Sequence, residues 1–99
     1  MLIPKFWKNK EPKEGIDYEF YDFPDSDLTG IHLLKGKYSG IIYFYTTVKF
    51  SEEDNIPKLS YNYELYQTNN ISENELTIDK NFDILVGDIL TTILVNNET

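Results

Sequence analysis

The chain has no cysteine, no arginine and no alanine, and its only histidine is His32. Without cysteine there is no disulfide framework, no thiolate zinc site and no cysteine nucleophile. With a single histidine, the nitrogen ligands that zinc favours are almost missing as well. No stretch approaches the ~20 apolar residues that span a membrane, and Met1-Leu2-Ile3-Pro4-Lys5 lacks the apolar run of a secretory signal. No cofactor, metal or membrane is therefore expected, and the expected location is the cytoplasm of the producing cell. The missing arginine also bears on nucleic acid, because arginine is the preferred bidentate reader of phosphate and guanine. All 9 cationic side chains are lysines, against 17 carboxylates, and the net charge is −8. Direct nucleic-acid binding is not expected of such a field, whereas a protein partner with a basic surface suits it. Self-association is left open by the composition.

What the chain does have is aromatic side chains: 8 Tyr, 6 Phe and 1 Trp in 99 residues. Rings of this size supply the buried area that lets a chain of one-domain length fold. Residues 1–13 read as an arm, with Pro4, Pro12 and four lysines, ahead of a domain at 14–99. Phe6 and Trp7 on that arm have two readings: they fold back to close an open end of the core, or they anchor a partner.

A tyrosine-rich hairpin pattern runs from Tyr38 to Tyr66. Its first arm is Ile41–Phe50, its second is Lys58–Tyr66, and an acidic loop with Pro57 joins them. In the first arm Ile42, Phe44, Thr46, Val48 and Phe50 share a face that reads as core. Tyr43 and Tyr45 share the other, where they lie under a loop or the arm or else form a partner-facing patch. Base stacking on these rings is disfavoured by the acidic field. In the second arm Leu59, Tyr61, Tyr63 and Leu65 face one way and Ser60, Asn62 and Glu64 the other, the mark of a strand near an edge. Upstream, Ile16, Tyr18 and Phe20 alternate with Asp17, Glu19 and Tyr21 as a half-buried strand. Pro24-Asp25-Ser26-Asp27 ends it, and Thr29-Gly30 reads as a further turn. Glycines at 36 and 40 suggest a turn or bulge before the long strand.

From Phe82 the period becomes helical. Phe82, Leu85, Val86, Ile89, Leu90 and Ile93 form one stripe, with Asp83, Asp88, Thr91 and Thr92 at its margins or opposite. Asp79 or Asn81 is placed to cap this helix, and Ser72-Glu73-Asn74-Glu75 has the form of a separate capping box. Gly87 inside the helix implies close approach to the sheet, under an aromatic ring. The pattern predicts an α+β fold: an antiparallel meander of three to five strands with a C-terminal amphipathic helix across one face.

Few residues point to chemistry. Asp25-Ser26-Asp27-Leu28-Thr29-Gly30 resembles the first half of a calcium loop, but the position of the closing glutamate is Gly36, so a polar turn is the expected role. His32 has no nucleophile motif beside it. Glu52, Glu53 and Asp54 form a like-charge triplet that reads as a solvated turn or as a recognition spot for a basic partner. No enzymatic activity is expected.

Four stretches, Gly36–Tyr45, Val48–Glu53, Leu59–Tyr63 and Val86–Leu90, resemble small proteins of tailed phages to which no activity is assigned. An AT-rich coding sequence, implied by abundant Asn, Ile, Lys and Tyr without Arg or Ala, agrees with that resemblance. It implies no catalytic or cofactor residue. The leading functional expectation is a small structural subunit or adaptor of a larger assembly such as the virion, with contacts through Phe6, Trp7, Tyr43, Tyr45 and the triplet 52–54. The alternative is an acidic inhibitor that covers a basic nucleic-acid-binding surface. An enzyme using carboxylates and His32 is the third reading.

Overall fold

The structure, a computed structural model, describes residues 12–96. Strands β1 (Tyr18–Asp22), β2 (Thr29–Leu33), β3 (Ile42–Glu53) and β4 (Ile56–Gln67) pair in chain order, each antiparallel to the next. Two helices follow, α1 (Glu73–Thr77) and α2 (Lys80–Asn96), so the chain is the α+β meander that the pattern predicts. Buried Tyr18, Ile31, Leu33, Ile41 and Tyr43 from the sheet side meet Leu76 of α1 and Phe82, Val86 and Ile89 of α2. The helices cover one face of the sheet, the helix face; the opposite face is the open face.

Local chemistry explains the helix boundaries. The Ser72 hydroxyl accepts the Glu75 N–H at 3.2 Å and starts α1. One Asp79 carboxylate oxygen accepts the N–H groups of Asn81 (2.9 Å) and Phe82 (3.3 Å), the two donors an N-cap is expected to satisfy. Thr92 departs from the expected margin. It is buried, and it is tolerated there because its hydroxyl donates to the Asp88 carbonyl one turn back.

The β3–β4 connection is tighter than the sequence implies. Asp54 and Asn55 form a two-residue turn with φ of 52° and 65°, the backbone that matches strand twist in a short hairpin. The strands therefore run through Glu53 and from Ile56, and Pro57 lies within β4 opposite Glu52 rather than in a loop. Proline is admitted there because β4 is an edge strand. Thr29-Gly30, read above as a turn, opens β2, and the Gly36–Gly40 region holds a 3-10 turn at Gly36–Tyr38.

The largest departure concerns β3. Tyr45 pairs with Tyr63 and Thr47 with Asn62, so Thr46 has no partner and is a bulge. A slip of one residue exchanges the two faces of a strand. Before the bulge Tyr43 and Tyr45 point to the helix face. After it Val48 and Phe50, opposite Tyr61 and Leu59, point there instead. The expected core face of Ile42, Phe44, Thr46, Val48 and Phe50 is thus two half-faces joined at Thr46. Tyr43, expected on the second face, is 0% exposed.

Gly87 meets the sheet as expected. A Cβ built there would stand 2.8 Å from the Tyr61 hydroxyl oxygen and 3.5 Å from the ring carbon that bears it. In an unhindered helix, Gly→Ala gains about 1 kcal/mol. Gly87→Ala is expected to lose that gain in the native background and to show it when Tyr61→Phe removes the hydroxyl. Urea unfolding of the double-mutant cycle measures this; additive effects would show that the hydroxyl does not set the helix–sheet spacing.

Candidate functional site

The tyrosines expected to face a partner are core. The Tyr45 hydroxyl donates to the Val86 carbonyl at 2.7 Å and lies 2.9 Å from the Tyr43 hydroxyl. Tyr45 has one proton to give, so Tyr43 donates to Tyr45 and a relay ends on the helix backbone. Burial pushes both phenols well above their usual range. The assignment of Tyr43 and Tyr45 to a partner surface is therefore corrected, because the bulge at Thr46 gives them to the helix face.

Two more phenols reach α2. The Tyr61 hydroxyl donates to the Asp83 carbonyl at 3.2 Å, and Tyr38 donates to the Asp79 carboxylate at 2.7 Å. Both phenols are pushed up to about 12, first by burial, then by Asp83 for Tyr61 and by Asp79 for Tyr38. Asp79 moves the opposite way. The Tyr38 hydrogen bond, the helix N–H groups and Lys37 at 3.7 Å hold its carboxyl below the usual range.

Other expected sites are placed differently. Glu52, Glu53 and Asp54 are exposed at the tip of the β3–β4 hairpin, and Lys58 lies 3.6 Å from Glu53. Phe6 and Trp7 lie outside the described residues. His32 sits on the open face with its Nδ1 3.0 Å from a Glu19 carboxylate oxygen, across the β1–β2 pair. Asp25 and Asp27 belong to the β1–β2 connection, where the Ser26 hydroxyl accepts the Leu28 N–H. Among the described residues no three His, Asp or Glu side chains converge as a metal site, and no helix is long and apolar enough to cross a membrane.

The open face carries the feature that sequence reasoning missed. Phe23 lies at the centre of a ring cluster, with centroid distances of 4.7 Å to Tyr66, 5.1 Å to Tyr21 and 5.5 Å to Phe44. The three contacts are edge-to-face, the arrangement ring quadrupoles favour. Phe23 rests on Gly30, where a Cβ would meet its ring at 2.9 Å and the Tyr43 carbonyl at 3.0 Å. A glycine within a strand pattern is the signal that could have revealed this seat. Tyr66 is 54% exposed, and neither helix covers the cluster.

A cleft of about 800 Å³ runs along β4 beside the corner between α1 and α2. Its walls include Tyr61 and Tyr63 from the strand and Ile78, Asp79 and Asp83 from the corner. No protein-family model, curated protein or solved structure matches the chain.

Two pH responses follow from the phenols and Asp79. Unfolded tyrosine ionises near pH 10. Tyr38 and Tyr61 ionise near 12 when folded, so their contribution is complete below pH ~10 and is lost as pH rises toward 12. The part of the tyrosinate absorbance that Tyr38→Phe and Tyr61→Phe remove is expected to appear together with unfolding; its full appearance in an intact fold near pH 10 would contradict this. Asp79 acts in acid. Its folded pKa is depressed, so its contribution is present above the unfolded value near 4 and is lost as pH falls through the folded one. Asp79→Asn keeps a capping oxygen but removes the charge, and urea midpoints of the variant are expected to fall less steeply on acidification than those of the native chain.

Proposed function

We propose that the chain is a non-enzymatic phage protein that works by protein–protein contact, as a small structural subunit or adaptor of a larger assembly such as the virion. The observation that carries the contact reading is the open sheet face, where exposed Tyr66 and half-buried Phe23 and Phe44 form a ring cluster on a glycine seat. Clustered aromatic anchors of this kind dominate the energetics of protein interfaces, because rigid rings give contact area at small entropic cost. The phage assignment is supported by the resemblance at Gly36–Tyr45 and Val86–Leu90 and by the AT-rich residue usage.

A second reading, an acidic inhibitor covering a basic nucleic-acid-binding surface, is favoured by the exposed tip Glu52-Glu53-Asp54 and the carboxylates along the β4 cleft. Contact through rings is weakly salt-dependent, whereas contact through carboxylates weakens steeply as salt screens it.

The test is recovery of the tagged chain with its assembly from producing cells, native and as Tyr66→Asp. Tyr66 is 54% exposed but packs edge-to-face on Phe23, so the variant is expected to lose about 1 kcal/mol of stability and to remain folded, which urea unfolding checks. Loss of incorporation by that variant supports the open-face contact. Unchanged incorporation overturns the assignment to that face, and absence of the native chain from virions and from every stoichiometric complex overturns the reading itself.

A further inference from the structure

We infer that the free edge of β4 binds an extended, lysine- or arginine-bearing segment of a partner protein as an added β-strand, in the cleft between that edge and the α1–α2 corner. The surface is separate from the open-face cluster. The inference shares the contact reading proposed above but does not depend on the ring cluster.

The backbone supplies the first argument. Among the described residues β4 is the last strand of the sheet, paired only with β3. In a two-residue hairpin the closing pair, here Glu53 and Ile56, exchanges both hydrogen bonds, and bonded and non-bonded pairs alternate from there. Along β4 the alternation turns the peptide groups of Leu59, Tyr61, Tyr63 and Leu65 toward the free side. Those four residues line the cleft. Leu59 to Leu65 spans about 20 Å, the length of a seven-residue strand.

The second argument is what the edge lacks. Proteins blunt free edges with proline, lysine, bulges or a covering element. In β4 the proline and the lysine are Pro57 and Lys58, near the turn; its own unpaired residue, Tyr66, lies beyond Leu65, and the bulge opposite Asn62 and Tyr63 has its extra residue, Thr46, in β3. The stretch Leu59-Ser60-Tyr61-Asn62-Tyr63-Glu64-Leu65 has none of these guards. The unguarded segment is the one that faces the cleft.

The walls identify the occupant. Glu64, Glu73, Asp79 and Asp83 line the cleft against a single cation, Lys80. Asp79 is engaged by Tyr38 and the α2 N–H groups, which leaves three carboxylates to meet a ligand. Half-buried Tyr61 and Tyr63 border the cleft, where aromatic rings add to the attraction for a cationic side chain. Ile78 contributes an apolar contact on the corner, and it is 81% exposed, the most exposed large hydrophobic of the described chain. A strand that alternates cationic and apolar residues fits these walls, with main-chain bonds for affinity and the walls for selectivity. A second copy fits poorly, because each chain carries −8 and would bring its own acidic cleft.

The experiment uses the full chain, isotope-labelled, and a capped seven-residue peptide of alternating lysine and valine. Two controls accompany it: the same peptide with alternate backbone nitrogens methylated, and its glutamate analogue. Amide shifts are expected to move along residues 59–65 and 73–83, and affinity is expected to fall as salt rises. The methylated peptide, which has lost donors but no charge, and the glutamate analogue are each expected to bind at least about tenfold more weakly. The triple variant E64Q/E73Q/D83N is expected to lose about tenfold with an unchanged unfolding midpoint, and Tyr66→Asp is expected to bind as the native chain does. Equal binding of the methylated peptide, shifts centred on the Phe23 cluster, self-association through β4 in place of peptide binding, or no binding at millimolar peptide would each overturn the inference. Peptide binding that fails while Tyr66→Asp still abolishes assembly would remove this site and leave the open-face reading intact.

Discussion

Three phenol hydroxyls hold α2 in place, two from the sheet and one, that of Tyr38, from the 3-10 turn before β3. Tyr38 bonds the Asp79 side chain, Tyr61 the Asp83 carbonyl and Tyr45 the Val86 carbonyl. Those positions are four and three residues apart, about one helical turn each, so the hydroxyls run along a line beside the Phe82–Val86–Ile89 stripe. A sheet and a helix pack about a side chain's length apart, and a tyrosine bridges that gap while delivering its polar end to the opposing backbone. Each bond removes the desolvation cost of a hydroxyl, and together they forbid sliding. Moving α2 by one turn would take the Asp79 carboxylate from Tyr38 and lift Phe82 away from Tyr38, Tyr43 and Tyr63. Gly87 belongs to the same constraint, since it lets Tyr61 come close enough to reach Asp83.

How much of this could be read without coordinates varied with the range of the interaction. The α2 stripe, the Asp79 cap, the Ser72 cap and the close approach at Gly87 follow from residues within a turn or two of each other, and all are seen. The one-sidedness of β4 is equally plain, because no bulge interrupts Leu59–Leu65. The faces of β3 were not legible. Its even-numbered positions carry more aliphatic and Phe side chains than its odd ones only because two half-strands of opposite phase were summed across Thr46. Nothing local marks that threonine; its bulge is set by pairing with Tyr63 and Asn62, residues far along the chain. Phe20 shows a related limit, while Ile16, expected in the same strand, lies in the turn before β1. The alternation with acidic neighbours is clear, yet Phe20 is 42% exposed, because facing the helix side is not the same as being covered by the helix.

The candidate site was the least legible part for the same reason. The rings assigned to a partner, Tyr43 and Tyr45, close the core. The rings on the open face, Phe23, Phe44 and Tyr66, come from three separate segments that only the sheet brings together. Gly30 organises them by what it omits, a Cβ. The hairpin extends the same logic outward. Twelve-residue strands span about 40 Å and the 17-residue α2 about 25 Å, so Val48 and Phe50 face the helix side beyond the helix's reach.

The open edge of β4 has a colloidal consequence. At neutral pH the acidic surface keeps one molecule's edge away from another's, so strand-to-strand stacking is opposed by charge rather than by a blocking residue. That protection vanishes near the isoelectric point of about 4.4. Asp79, whose carboxyl is held below the usual range, still carries its charge there and keeps the start of α2 capped. On acidification the protein would therefore clump through its edge before it lost its fold, and its limit of handling is set by solubility rather than by conformational stability.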